Sequence, residues 1–203
     1  MQSVQQLIHE AKTAVRPKWD EIERIKLVNQ ARVLAAFQDH HVSEYHFAGS
    51  TGYGYNDSGR ETIESIYAQI FGGEAALVRP QLVSGTHAIA TCLAALLEPG
   101  DELISLTGAP YDTLQQVIGI KGDLPRSLVC QGISYREVPL DEEGRWSKEG
   151  ILAAVSPGTK MALIQRSRGY SWRPALSIDE IGAIVSLVRE ISPKTIIFVD
   201  NCY

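Results

Sequence analysis

The sequence predicts an α/β protein in which helices cover both faces of a mostly parallel sheet, with a helical arm at the amino terminus. From residue 75 onward, short apolar runs alternate with amphipathic stretches, and turn signals such as Glu98-Pro99-Gly100-Asp101 separate them. Strands that alternate with helices pair side by side through crossovers, which makes the sheet parallel. The run Thr195-Ile196-Ile197-Phe198-Val199 is unbroken rather than alternating, as in a strand buried on both faces. Before residue 45 the apolar spacing is helical only.

In chain order, Val4, Leu7, Ile8, Ala11 and Val15 fall on one helical face. Pro17 predicts a break, and Ile22, Ile25, Val33, Leu34 and Phe37 give a second, less regular stripe. Two helices are expected, packed either on their own domain or over a neighbouring subunit. Residues 46–60, with Gly49, Gly52, Gly54 and Gly59, lack periodicity and read as a loop. Ile63, Ile66, Tyr67, Ile70 and Phe71 then mark a helix that Gly72-Gly73 ends, where left-handed backbone angles are wanted. Residues 75–83 read as extended, 85–97 as helix, 103–106 as strand, 111–118 as helix and 133–138 as strand. A short helix over 148–155 and a strand over 160–165 follow. Ser177-Ile178-Asp179-Glu180 is a capping box opening a helix that runs to about Ile191, before the last strand at 195–199. No repeat, low-complexity tract or clear linker interrupts the pattern. The expected organisation is an arm over 1–45 and one large domain over 46–203.

Composition narrows the function. The 203 residues are 44% hydrophobic and 21% charged, enough for one sizeable core, and the net charge is −5. An acidic chain lacks the concentrated positive face that displaces counterions from nucleic acid, so nucleic acid is not an expected partner. No apolar run reaches the roughly 18 residues that cross a bilayer, so no membrane association is expected. The amino terminus shows no export signal. A cytoplasmic location is the expectation. Cys92, Cys130 and Cys202 form no C-x-x-C pair, and their odd number suits buried or half-buried thiols in a reducing compartment. His40, His41, His46 and His87 match no metal-binding spacing, and no metal is expected.

In open α/β sheets ligands sit beyond the carboxyl ends of the strands. Ser84-Gly85-Thr86-His87 opens a helix after the 75–83 segment and offers backbone N–H groups, a small residue and hydroxyls to a phosphate. Small residues also begin helices for steric reasons alone. Tyr111, after Thr107-Gly108-Ala109-Pro110, is placed either to cover a flat ring or simply to pack. Asp200 ends the last apolar strand, where a carboxylate needs a cationic or donating partner such as a protonated ring nitrogen. Arg166, Arg168 and Arg173 follow the 160–165 strand and suit a carboxylate or phosphate, or are plain solvated arginines. No G-x-G-x-x-G or Walker-A pattern leaves a strand, which argues against a dinucleotide or triphosphate.

Taken in order, several motifs resemble the fold-type-I pyridoxal 5'-phosphate (PLP) enzymes of the cystathionine and methionine γ-lyase group, most closely its methionine γ-lyase-like, or aluminium-resistance, branch. They are the stretch from Gly49-Ser50-Thr51-Gly52-Tyr53-Gly54-Tyr55 to Asn56-Asp57-Ser58-Gly59-Arg60, then Phe71-Gly72-Gly73-Glu74-Ala75, Ser84-Gly85-Thr86-His87-Ala88-Ile89, Gly108-Ala109-Pro110-Tyr111-Asp112-Thr113 and Phe198-Val199-Asp200-Asn201-Cys202-Tyr203. The resemblance covers nearly the whole chain. It implies a carbon–sulfur lyase that uses PLP to expel a thiol from the β or γ carbon of a sulfur amino acid. It also implies that Ser84, Gly85 and Thr86 hold the cofactor's phosphate, Tyr111 stacks on its ring and Asp200 pairs with the ring nitrogen. By the same resemblance Tyr53 or Tyr55 would reach the phosphate of an adjacent subunit, which implies a homodimer or homotetramer. Arg166 and Arg168 would bind the substrate. The arginine loop stands where better-known lyases carry a Pro-x-Asn-Pro stretch, and this leaves the contact to the cofactor's phenolic oxygen unassigned. The cofactor-bearing lysine of the family lies beyond the Asp-Asn-x-Tyr segment, where this sequence stops, so the chain is expected to be an inactive N-terminal fragment. A transaminase or aldolase of the same fold type, or a non-catalytic remnant that binds a partner, are the alternatives.

Overall fold

The protein was analysed as a computed structural model that describes residues 3–202 apart from Gly52, Gly54, Asn56 and Asp123. The chain forms two compact units, Met1–Gln81 and Leu82–Tyr203.

The first unit opens with α1 (Val4–Asp39), a single helix of 36 residues with Pro17 inside it. The break expected at Pro17 does not occur. Proline removes one N–H donor and crowds the carbonyl of Thr13, at a cost of about 3 kcal/mol in a helix interior. That cost is spread over a long helix with the Arg16–Asp20 ion pair spanning Pro17 and Lys18–Glu21 following it, each exposed pair adding a few tenths of a kcal/mol. Ser3 caps the start in a full capping box with Gln6. Among its described side chains only Ala36 is buried. Helix α2 (Ser58–Phe71) begins at Asp57, whose carboxylate accepts the Arg60 N–H, and ends at Gly72 with φ of +66°, as the Gly72-Gly73 pair predicts.

Residues 75–83 belong to no strand, contrary to the sequence expectation. The Glu64 side chain accepts the Val78 N–H at 2.9 Å and pairs with Arg79, so this backbone is held by a carboxylate instead of a ladder. Pro80 removes a further donor.

The second unit carries the sheet. In chain order its elements are α3 (Gly85–Leu96), β1 (Glu102–Ser105), α4 (Asp112–Ile118), β2 (Ser134–Glu137), α5 (Lys148–Ala154), β3 (Met161–Gln165), α6 (Ile178–Ile191) and β4 (Ile196–Asp200). All four strands are parallel, in the order β2-β1-β3-β4. This is the α/β architecture that the alternation predicts.

Side-chain alternation splits the core between the two faces of the sheet. Leu103, Met161 and Leu163 pack with Ile89 and Leu93 of α3 and Leu114 and Ile118 of α4. Ile104, Ala162 and Ile164 pack with Ile151 of α5 and Ile184, Leu187 and Val188 of α6. Strand β3 is therefore buried throughout. Strand β4 is not: among the described residues it pairs with β3 alone, its isoleucines and Phe198 are half-buried, and Val199 is exposed. Its apolar run foretold a strand covered on both faces, and within these 203 residues it is half-buried. The three cysteines, expected to be buried or half-buried, are all exposed. Cys92 is exposed on α3 beside the buried Leu93, and Cys130 follows the buried Leu128 in a short turn. No helix among the described residues is long and apolar enough to cross a membrane.

Gly119 ends α4 with φ of +98°, and a Cβ there would lie 2.3 Å from the Ser127 Oγ. Gly119→Ala should therefore destabilise the unit by about 3 kcal/mol, combining left-handed strain with a clash against a buried neighbour. Urea unfolding of the variant measures it. A loss below about 1 kcal/mol would show that the α4 terminus relaxes freely.

Candidate functional site

The chain passes from β1 to β2 on one side of β1 and then to β3 on the other, so the strand order reverses between β1 and β3. Such a switch point opens a crevice beyond the carboxyl ends of the strands. A cavity of about 710 Å³ lies there. Ser84, Gly85, Thr86, Tyr111, Thr113, Asp200 and Cys202 line it together with residues 167–170.

One wall is the start of α3. Ser84, in extended conformation, caps the helix by accepting the His87 N–H on its Oγ at 3.1 Å. The N–H groups of Gly85 and Thr86 sit in the first turn and have no intrahelical acceptor, and the helix start carries partial positive charge. Thr86 Oγ1 lies 3.0 Å from the Tyr111 hydroxyl and 3.2 Å from Thr113 Oγ1. Backbone donors and hydroxyls thus converge on one corner, an arrangement suited to an anion with several acceptor oxygens.

Tyr111 stands opposite, at the mouth of α4, its backbone N–H donating to Gln165 Oε1 at 2.9 Å. Partial burial pushes its phenol above the ordinary value, the Thr86 hydrogen bond opposes that shift, and the negative charge of Asp200 adds to it. Asp200 itself is only 6% exposed. Its Oδ1 accepts the Cys202 N–H at 3.3 Å, and among the described residues no Lys or Arg forms an ion pair with it. Burial raises its carboxyl above the usual range, with the Cys202 N–H acting in the other direction. A buried carboxylate that faces a cavity and has no ion-pair partner among the described residues calls for a cationic or donating ligand atom.

The arginines divide. Arg168 lines the cavity, its guanidinium 5.6 Å from the Trp172 ring centre, and among the described residues it forms no ion pair. Arg166 points elsewhere, donating through Nε to the Leu176 carbonyl at 3.2 Å and through a terminal nitrogen to Asn201 Oδ1 at 2.7 Å. It fastens β3 to the segment after β4. Arg173 is buried and donates to the carbonyls of Gln165 and Ser167. Tyr53 and Tyr55 belong to the first unit and are exposed. Among the described residues no lysine lines the cavity: Lys160 and Lys194 precede β3 and β4 at the amino edge, and Lys148 opens α5.

The cavity also holds residues that sequence reasoning did not single out. Thr113 and Cys202 lie within quoted motifs without an assigned part; Gln165, which holds the Tyr111 N–H rather than lining the cavity, was read only as the end of a strand. A polar side chain closing an otherwise apolar strand was the available signal for Gln165.

The family described as methionine gamma-lyase matches residues 4–203. YnbB of Bacillus subtilis, an uncharacterized protein, is 50% identical over 184 residues, which is 90% of this chain and 44% of that one. A Listeria innocua structure, whose name proposes a cystathionine β-lyase involved in aluminium resistance, superposes with a TM-score of 0.96 at 47% identity. That match covers 100% of this chain and 50% of the other. A carbon–sulfur lyase involved in aluminium resistance from Clostridium novyi gives 0.92 at 41% identity, over 98% of this chain and 48% of its own. The chain spans about half the length of these relatives.

Proposed function

We propose, because the chain belongs to the methionine γ-lyase family, that it is the cofactor-gripping part of a PLP-dependent carbon–sulfur lyase acting on a sulfur amino acid. The observation that carries this reading is the convergence of Ser84, Gly85, Thr86, Tyr111 and Asp200 on one cavity. The donor set fits the cofactor at both ends. The first-turn N–H groups of Gly85 and Thr86, with the hydroxyls of Ser84 and Thr86, suit its phosphate. The buried Asp200 carboxylate suits a protonated ring nitrogen and would hold that proton in place. Tyr111, braced through its N–H by Gln165, suits the ring face.

When bound, PLP supplies an electron sink for the negative charge that develops at the substrate's α carbon. This chain's residues anchor, orient and polarise it. Arg168 lines the cavity without an ion pair among the described residues and would meet an anionic group of the substrate. Arg166 is committed to Leu176 and Asn201, so its contribution would be to hold the loop. Tyr53 or Tyr55, from the first unit, would reach the phosphate of a second copy, giving a homodimer or homotetramer in a cytoplasmic setting. By itself the chain is expected to bind cofactor without turning substrate over, because none of its described lysines lines the cavity.

Equilibrium dialysis with 4'-deoxypyridoxine 5'-phosphate tests the reading, since this analogue lacks the aldehyde and does not react with surface amines. Binding should be displaced by inorganic phosphate, and the dephosphorylated analogue should bind at least about tenfold more weakly, as the loss of several charge-assisted hydrogen bonds requires. Equal affinity for the two analogues would remove the α3 start from the site.

A further inference from the structure

Gln165, the last residue of β3, serves both sides of the cavity. Its Oε1 accepts the Tyr111 N–H at 2.9 Å, and its Nε2 donates to the Ser167 carbonyl at 3.1 Å. The partners fix which way the amide points, because a backbone N–H only donates and a carbonyl only accepts. The Gln165 backbone is fastened as well. Its N–H donates to Thr107 Oγ1 at 3.1 Å, and its carbonyl accepts from Arg173 at 2.9 Å. Arg173 also donates to the Ser167 carbonyl, so Ser167 is gripped twice. Gln165, Arg173 and Thr107 are 4%, 7% and 1% exposed, which removes water as a substitute partner.

We propose that Gln165 is a positioning residue: backed by Arg173, it holds Tyr111 and the Arg168-bearing loop in one hydrogen-bonded frame. The side chain that would cover the cofactor ring and the cation that would meet the substrate are then set by the same amide. The functional meaning of the two ends rests on the lyase reading above, whereas the frame itself does not.

Two variants of the chain separate the two arms of Gln165. Gln165→Glu keeps an acceptor for the Tyr111 N–H but offers no N–H to the Ser167 carbonyl, and Gln165→Met removes both bonds at similar volume. Limited trypsin digestion reads the loop, as cleavage after Arg168, with cleavage after Arg145 as the internal reference. Dialysis with 4'-deoxypyridoxine 5'-phosphate reads the ring side. Cleavage after Arg168 should quicken about fivefold in both variants, the effect of losing one modest hydrogen bond. Cleavage after Arg145 should not change. Ligand affinity should stay within about twofold in Gln165→Glu and fall about tenfold in Gln165→Met, where the Tyr111 N–H is left unpaired. Unchanged cleavage after Arg168 in Gln165→Glu overturns the proposal, as does parental affinity in Gln165→Met. Equal acceleration after Arg145 also overturns it, since that is general loosening. Should Gln165→Met fail to fold, the two readouts of Gln165→Glu decide alone. If the parent binds no ligand, the lyase reading falls and the cleavage rates still decide the frame.

Discussion

Asp200→Asn should weaken binding of 4'-deoxypyridoxine 5'-phosphate by about 30-fold, as expected for losing a hydrogen bond to a charged group, while the ligand-free chain becomes more stable. The two effects have one cause. Asp200 is buried at the cavity, where among the described residues its carboxylate accepts only the Cys202 N–H, and burial holds its pKa above the ordinary value. The folded chain therefore binds this proton more tightly than the unfolded chain does. Stability contributed by Asp200 is present at low pH and is lost as pH rises from the ordinary aspartate value through the raised one. Asparagine carries no charge at any pH, fills nearly the same volume and still accepts the Cys202 N–H. Above that window the variant should melt about 2 to 4 °C higher, the shift that roughly 1 kcal/mol gives a chain of this size. Thermal melts across pH 4 to 8 and the dialysis titration together decide it. A variant that melts lower at neutral pH and binds as before would make Asp200 a structural residue only.

Leu163→Ala should cost about 3 to 4 kcal/mol, lowering the melting temperature by roughly 10 °C. Leu163 lies in β3 with neighbours on either side, in register with Ser105 and Phe198, and its side chain is fully buried among Leu93, Leu114 and Met161. Residues of two helices and two strands would have to collapse together to fill the space left behind. Leu152→Ala, on the exposed side of α5, removes the same atoms and should cost less than about 1 kcal/mol. Comparable losses at the two positions in urea unfolding would mean that the sheet centre is not where this unit's stability resides.

The contrast between β3 and β4 shows how far the sequence could be read. Met161-Ala162-Leu163-Ile164 and the run at 195–199 look alike in composition, yet the first is buried throughout and the second is half-open. Apolar runs report what a strand can bury, and strand order decides how much it does bury. Caps were legible for a more local reason: the Ser177–Glu180 box and the Gly72 terminus depend on contacts within one turn. Pro17 misled because a single lost donor is small against a helix of 36 residues braced by ion pairs. Residues 75–83 misled because their partner is a carboxylate on α2, which no local pattern reveals.

The cavity was legible where it depends on strand exits, since Tyr111 and Asp200 follow from the rule that ligands sit at carboxyl ends, whereas Ser84, Gly85 and Thr86 were legible as a helix start, the segment before them being no strand. Arg166 and Arg168 were indistinguishable as residues of one loop. The structure separates them through Leu176 and Asn201, which are remote in sequence. The part played by Gln165 depends on Tyr111, 54 positions away, and so lay beyond any local reading.

On the proposed reading, three strand exits and one helix start grip a single ligand. Amide chemical-shift mapping of the chain titrated with 4'-deoxypyridoxine 5'-phosphate tests it most directly. Saturable shifts are expected that are largest at Gly85, Thr86, Tyr111 and Cys202 and that follow one binding curve. Shifts scattered over the surface, or a response at Tyr111 and Cys202 that leaves Gly85 and Thr86 unmoved, would contradict it.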